Sequence, residues 1–142
     1  MTMETSVKTE SATAHSTRPV LVVDDSSDFR LLMTLVLRGK GFIVEEACDG
    51  VDAFQYLLSH PCPIAILLDL QMPRMNGLQF REAQVADSRF REIPVVLYSN
   101  VPDLEEIAEL LRVDGFVSKH APTDTIVGEV VRCLRVKSSG ES

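Results

Sequence analysis

The sequence has few of the residues that form covalent cross-links or metal clusters. Its 142 residues include three cysteines, Cys48, Cys62 and Cys133, and none of them forms a CxxC pair. An odd number of cysteines without metal-ligand spacing argues against a zinc site or a disulfide framework and favours a reducing compartment. We therefore expect the cysteines to be small, buried hydrophobic residues. A chain of this length buries enough surface to fold without cross-links.

Long apolar runs are also absent. A membrane-spanning helix needs about 20 consecutive apolar residues, whereas the longest runs here are short, such as 64–68. Residues 1–17 include eight Ser or Thr and lack the cationic start and apolar stretch of a secretory signal. These patterns predict a cytoplasmic protein without membrane insertion. They also predict a disordered tail at 1–17, a folded domain at 18–136 and a flexible C-terminal tail at 137–142.

Basic runs are missing as well. The 14 Lys and Arg residues are outnumbered by 21 Asp and Glu residues, which gives a formal net charge of −7. Attraction to the phosphate backbone supplies most of the affinity of proteins for nucleic acids. An acidic chain without a basic patch is therefore predicted not to bind nucleic acid directly, and its surface suits protein partners better.

Short apolar runs alternate with segments of helical periodicity along the chain. The runs have the length of buried strands and lie at 20–23, 42–47, 64–68, 95–97 and 116–117. This alternation predicts an α/β fold in which helices cover both faces of a five-stranded parallel sheet. Ligands of such sheets bind at the carboxyl ends of the strands, so that edge is where functional residues are expected.

Polar residues stand at the carboxyl ends of four predicted strands: Asp24, Asp25, Asp69, Ser99 and Lys119. Each has an ordinary structural interpretation by itself, as a helix cap, a turn residue or a solvated charge. Together they are harder to explain, because three carboxylates at one edge repel one another unless a cation neutralises them. Oxygen ligands without His or Cys indicate Mg2+.

Asp69 is the best candidate for a nucleophile. It directly follows the predicted buried strand 64–68, which would hold it rigidly. A carboxylate can accept a phosphoryl group as an aspartyl phosphate. Phosphoryl transfer needs mainly positioning and charge neutralisation, which a metal ion, the Lys119 ammonium and the Ser99 hydroxyl can supply.

Four stretches of the sequence together resemble the receiver domain of bacterial two-component response regulators. They are VVDD at 22–25, LDLQMPRMNG at 68–77, VLYS at 96–99 and FVSK at 116–119. The similarity covers about 18–136, and the run Asp-x-x-Met-Pro-x-Met-x-Gly is specific. The resemblance implies a flavodoxin-like, three-layer, doubly wound sheet with strand order 2-1-3-4-5.

The resemblance implies a chemical role for each matching residue. Asp69 corresponds to the phosphoacceptor, which receives its phosphoryl group from a sensor histidine kinase or a histidine phosphotransfer protein. Asp24, Asp25 and Asp69 correspond to the Mg2+ ligands, assisted by the backbone carbonyl of Gln71. Lys119 corresponds to the lysine that contacts the phosphate. Such a protein is not an enzyme beyond catalysing its own phosphorylation and dephosphorylation.

The resemblance also implies a conformational switch. The phosphate draws in the hydroxyl that corresponds to Ser99, and the aromatic ring that corresponds to Phe116 fills the vacated space. This change alters a surface on the fourth helix, fifth strand and fifth helix, to which a downstream target protein binds. Four acidic residues on the predicted fourth helix are either a solvated face or a patch for a basic partner: Asp103, Glu105, Glu106 and Glu109.

Two positions depart from the family pattern. Asn100 stands where the family has a small residue, and His120 stands where it has a proline after the lysine. A cis bond before a non-proline residue costs about 2.5–4 kcal/mol, so we predict a trans Lys119–His120 bond with the lysine somewhat displaced. Asn100 leaves the lifetime of the phosphate unpredicted. The departures keep an alternative open, a pseudo-receiver that docks proteins without being phosphorylated.

Overall fold

The computed structural model describes residues 17–140, with side chains through Lys137. Strands and helices alternate along it. The strands are β1 Val20–Val23, β2 Val44–Ala47, β3 Ala65–Asp69, β4 Val95–Ser99 and β5 Gly115–Ser118. The helices are α1 Ser27–Gly39, α2 Gly50–Ser59, α3 Gly77–Ala86, α4 Leu104–Leu111 and α5 Thr123–Gly140. The strands form one parallel sheet in the order β2-β1-β3-β4-β5, which confirms the predicted fold.

Helices cover both faces of this sheet, so successive strand residues are buried on opposite sides. On one side α1 and α5 enclose a core that includes Val22, Met33, Leu37, Tyr98 and Ile126. On the other side α2, α3 and α4 enclose a core that includes Leu21, Ala53, Ile66, Phe80 and Leu104. The helices cover the two faces of the sheet but not the carboxyl ends of its strands. Polar side chains can therefore gather at those ends.

Two strands extend further than predicted at the carboxyl edge, where the candidate site residues lie. The predicted strand 95–97 continues for two more residues, because Tyr98 and Ser99 pair in register with β5. β3 likewise ends at Asp69 itself, which is paired opposite Tyr98. The candidate nucleophile and the candidate switch hydroxyl are therefore the last residues of paired strands and not the first residues of loops.

The ends of α1 follow from local chemistry. Ser26 is the N-cap, and its side chain accepts a hydrogen bond from the backbone of Phe29. Asp25 is thus not the cap of this helix. The helix ends at Gly39, as predicted, and Gly41 turns the chain with a φ of 96°, which favours glycine.

The last helix runs into the segment predicted as the C-terminal tail, whose flexibility stays a prediction. α5 continues through Lys137 to Gly140, into the segment predicted as the flexible tail 137–142. The Lys137 ammonium lies 3.5 Å from an Asp114 carboxylate oxygen and 3.7 Å from one of Glu92, which anchors the end of the helix. Most of the predicted N-terminal tail, 1–16, lies outside the described residues.

The cysteine prediction is right at only one position. Cys133 is buried, whereas Cys62 is half-buried and Cys48 is exposed. Cys48 differs because it follows β2, the edge strand, and its backbone N–H donates to the carboxylate of Asp52 in the first turn of α2. Among the helices that the structure describes, none has both the length and the apolar composition to cross a membrane.

Candidate functional site

The carboxyl edge of the sheet gathers acidic residues from two neighbouring strands. Asp24 and Asp25 follow β1, and Asp69 ends β3, which lies beside β1. One carboxylate oxygen from each residue lies within 4.8 Å of the others. Asp24 and Asp69 are buried, whereas Asp25 is exposed. The structure thus brings together the three carboxylates that the sequence analysis placed at one edge.

Lys119 reaches this acidic group from the end of β5. Its ammonium nitrogen lies 3.0 Å from Asp24 Oδ2 and 3.3 Å from Asp69 Oδ2, so it bridges the two buried carboxylates. The Lys119–His120 peptide bond is trans, as predicted. The expected displacement of the lysine does not take its ammonium out of contact with Asp69.

The charges of this cluster are not balanced by its own residues. Burial and the Asp24 carboxylate raise the pKa of Asp69 to about 6, although the Lys119 ammonium and the Gln71 N–H act in the opposite direction. One ammonium among three carboxylates leaves an excess of negative charge. A small divalent cation with oxygen ligands would neutralise that excess, so the donor set fits a metal such as Mg2+.

Tyr98 belongs to the site although the sequence analysis missed it. Its buried hydroxyl donates a 2.5 Å hydrogen bond to Asp24 Oδ2. Burial, followed by this hydrogen bond, holds the pKa of Tyr98 well above its usual range, so the phenol is a neutral donor. The available signal was one aromatic residue in an otherwise aliphatic strand, directly before Ser99.

The two candidate switch residues occupy different environments. Ser99 is buried, and its hydroxyl oxygen accepts a 3.4 Å hydrogen bond from the backbone of Val101. Phe116, on the neighbouring strand β5, is 39% exposed. Its backbone N–H donates to Glu129, and Arg132 donates to the carbonyl of Asp114, so α5 side chains occupy part of the β5 edge.

The loop after Asp69 is held by close backbone contacts. The Gln71 N–H donates a 3.4 Å hydrogen bond to Asp69 Oδ1, while the role of the Gln71 carbonyl as a metal ligand stays a prediction. Gly77 begins α3 directly against the end of β3, where a β-carbon would lie 2.5 Å from the backbone oxygen of Asp69. The glycine of the motif is therefore needed for close approach.

An ion pair that the sequence analysis missed ties this loop to α2. The Arg74 guanidinium donates two hydrogen bonds to the buried Asp49 carboxylate, at 2.7 and 3.1 Å. Gly50 donates its backbone N–H to the carbonyl of Met75. Arg74 adopts a φ of 65°, a left-handed conformation that side chains disfavour. These residues fix the start of α2 relative to the loop.

A doubly wound parallel sheet with carboxylates and a lysine at its carboxyl edge has the features of a receiver domain. The match to known families agrees with this architecture. The model of the response regulator receiver domain matches residues 20–131, and this chain belongs to that family.

Individual relatives support the same assignment. The chain is 34% identical over 103 residues to the chemotaxis protein CheY1 of Helicobacter pylori, which covers 70% of this chain and 83% of CheY1. It is 27% identical over 116 residues to the CAI-1 autoinducer sensor kinase/phosphatase CqsS of Vibrio cholerae, but spans only 17% of that protein. The solved structure of Vibrio cholerae CheY4 is 25% identical with a TM-score of 0.76, covering 83% of this chain and 99% of CheY4.

Proposed function

We propose that this protein is a phosphoacceptor in a two-component phosphorelay, in which Asp69 takes a phosphoryl group from a phosphohistidine donor in the cytoplasm. The observation that carries the proposal is the position of Asp69. Its carboxylate is buried, lies beside Asp24 and Asp25, and is within 3.3 Å of the Lys119 ammonium. This arrangement suits phosphoryl transfer, because the Lys119 ammonium and a cation held by the carboxylates could neutralise the charge of an incoming phosphoryl group.

The proposed transfer exchanges one bond for another. A carboxylate oxygen of Asp69 attacks the phosphorus atom, a P–O bond forms, and the P–N bond to the donor histidine breaks, which leaves that histidine ready to take up a proton. Asp24, Asp25, Asp69 and the Gln71 carbonyl would hold Mg2+, which supplies positive charge for the phosphoryl oxygens when bound. The Lys119 ammonium, already beside Asp69, would contact a phosphoryl oxygen.

The output of the proposed reaction is a change in a protein-binding surface. The Ser99 hydroxyl would turn to the phosphoryl group, and the exposed ring of Phe116 would move toward the space that it leaves. A sensor histidine kinase or phosphotransfer protein would be the donor, and a downstream target protein would bind the surface of α4, β5 and α5. The exposed position of Phe116 supports this proposal, because an exposed ring can still move to a buried position.

The competing function is a pseudo-receiver that docks partners without phosphorylation. Asn100 and His120 are the departures that suggest it. Against it stands the composition of the cluster, because a purely structural site gains nothing from three carboxylates that share one ammonium.

Intact mass measurement after incubation with acetyl phosphate and Mg2+ tests the proposal. The wild type should gain one phosphoryl group, and Asp69→Asn should gain none because it lacks the accepting oxygen. Asp28→Asn is the matched control, since Asp28 is an exposed carboxylate on α1 outside the cluster, and it should label like the wild type. Absence of labelling in the wild type, under conditions that label a known receiver domain, would instead favour the docking module.

A further inference from the structure

Tyr98 contacts both buried charges that flank Asp69. Its hydroxyl donates to Asp24 Oδ2, the same oxygen that lies 3.0 Å from the Lys119 ammonium. That ammonium also lies 5.0 Å from the centre of the Tyr98 ring and 4.4 Å from that of Phe29. The two rings meet edge to face, with centroids 6.4 Å apart. An aromatic corner on the α1 and α5 side of the sheet therefore supports the ammonium.

The Asp24 carboxylate is fully buried, so only a few protein groups donate hydrogen bonds to it. Its Oδ1 accepts a 2.9 Å hydrogen bond from the backbone of Ser26, and its Oδ2 is shared by Tyr98 and Lys119. Lys119 divides its contacts between Asp24 and Asp69. When the ammonium turns toward a phosphoryl group on Asp69, the Tyr98 hydroxyl is the donor that remains on Asp24 Oδ2.

We propose that Tyr98 is a positioning residue of the phosphoacceptor site, whose hydroxyl fixes the Asp24 carboxylate and whose ring fixes the Lys119 ammonium before cation and phosphoryl group arrive. The inference rests on the proposed function. Groups that are held in place beforehand need less ordering when the ligand binds, so affinity increases. Without the hydroxyl, Asp24 loses one of the contacts that fix its orientation toward the metal.

Tyr98→Phe tests this inference because it removes the hydroxyl and keeps the ring. We expect its Mg2+ dissociation constant, measured by isothermal titration calorimetry, to increase about threefold to tenfold, the upper value corresponding to about 1.4 kcal/mol. Tyr56→Phe is the matched control, because Tyr56 lies on α2, where its ring stacks on His60. It should bind Mg2+ like the wild type. Equal or tighter binding by a folded Tyr98→Phe would overturn the proposal.

A spectroscopic measurement does not depend on the folding of that variant. The chain has two tyrosines and no tryptophan, so Tyr98 is the only strong near-ultraviolet chromophore in Tyr56→Phe. Mg2+ should change the absorption and fluorescence of this phenol, because the carboxylate that accepts its hydrogen bond, Asp24, would be a ligand of the cation. Calorimetric binding without a spectral change would overturn the role of Tyr98 alone. Absence of Mg2+ binding in the wild type would overturn the proposed function together with this inference.

Discussion

Two buried polar clusters in this protein are organised in opposite ways. At the carboxyl edge, Asp24 and Asp69 share one ammonium and lie beside a third carboxylate. Between α3 and α4, the buried Arg81 side chain donates from all three of its nitrogen atoms. Its acceptors are the Gln84 side-chain oxygen at 2.8 Å and the carbonyls of Leu111 and Arg112 at 3.0 and 2.6 Å.

Gln84 completes the second cluster. Its amide nitrogen donates to the carbonyls of Phe90 and Ile93, so the network closes the loop after α3 and the end of α4. Within residues 17–137, every buried side-chain nitrogen or oxygen has a hydrogen-bond partner. Satisfied hydrogen bonds therefore do not separate a functional cluster from a structural one here. The difference lies in the kind of charge, because the second cluster holds one guanidinium among neutral acceptors, whereas the carboxyl edge holds three carboxylates around one ammonium.

The largest expected effect comes from breaking the structural cluster. Arg81→Leu leaves three acceptors without their donor, the buried Gln84 oxygen and two partly buried carbonyls, and each buried unpaired group costs about 1–3 kcal/mol. We expect a loss of about 3 kcal/mol in the free energy of unfolding, measured with urea, and unchanged Mg2+ affinity. The exposed neighbour Arg91 supplies the control, since Arg91→Leu should stay within about 0.5 kcal/mol. A loss below about 1 kcal/mol would show that this network is not structural.

Substitution of Asp69 in the carboxyl-edge cluster should increase the stability of the protein, whereas substitution of Arg81 should decrease it. The pKa of Asp69 is about 6 in the folded protein against an ordinary value of 3.8, so between these values the folded state binds more protons than the unfolded state. The ionised carboxylate therefore destabilises the metal-free protein increasingly as the pH rises from 4 to 6, and fully above 6.

Asp69→Asn removes this destabilising charge. The difference between a pKa of 3.8 and one of about 6 corresponds to about 3 kcal/mol, since one pKa unit is about 1.4 kcal/mol. Solvent screening reduces this value, so in metal-free buffer at about pH 8 we expect a gain of roughly 2 kcal/mol in the free energy of unfolding. The gain should disappear near pH 4, where wild-type Asp69 is itself neutral. Urea unfolding at both pH values measures it. A gain that is the same at the two pH values, or a loss at pH 8, would contradict the charge imbalance.

The smallest effect is expected at the Arg74–Asp49 ion pair, in which an exposed side chain pairs with a buried one. Arg74 is largely exposed, so Arg74→Ala should cost only about 1 kcal/mol despite the buried partner. Arg74→Gly loses the same ion pair but relieves the left-handed φ, and we expect it to be more stable than Arg74→Ala by about 0.5–1 kcal/mol. Urea unfolding of both variants distinguishes the two contributions; equal stabilities would mean that the backbone there is not strained.

Much of the fold could be predicted because it depends on short-range pattern. The alternation of apolar runs and helical segments predicts the parallel sheet, and the rule for the carboxyl ends of strands predicts that Asp24, Asp25 and Asp69 lie together. The resemblance to receiver domains supplied the strand order. These features follow from periodicity and topology, which are local or general properties of the chain.

The side-chain contacts across the sheet could not be predicted in the same way. The hydrogen bond from Tyr98 to Asp24 joins residues 74 positions apart and depends on the rotamer of a tyrosine just beyond the predicted strand 95–97. The donors of Arg81 reach carbonyls about 30 positions away, and a charged residue on a helix is expected to be solvated. Such contacts need the packed structure.

The edge of β5 limits how a partner can bind. Glu129 accepts from the backbone of Phe116, and Arg132 donates to the carbonyl of Asp114, so two main-chain groups on this rim already have intramolecular partners. An unpaired rim invites an incoming extended peptide to enlarge the sheet, and side chains that cap it oppose such β-augmentation. A target of this domain should therefore be recognised through helix side chains and the Phe116 ring and not by adding a strand.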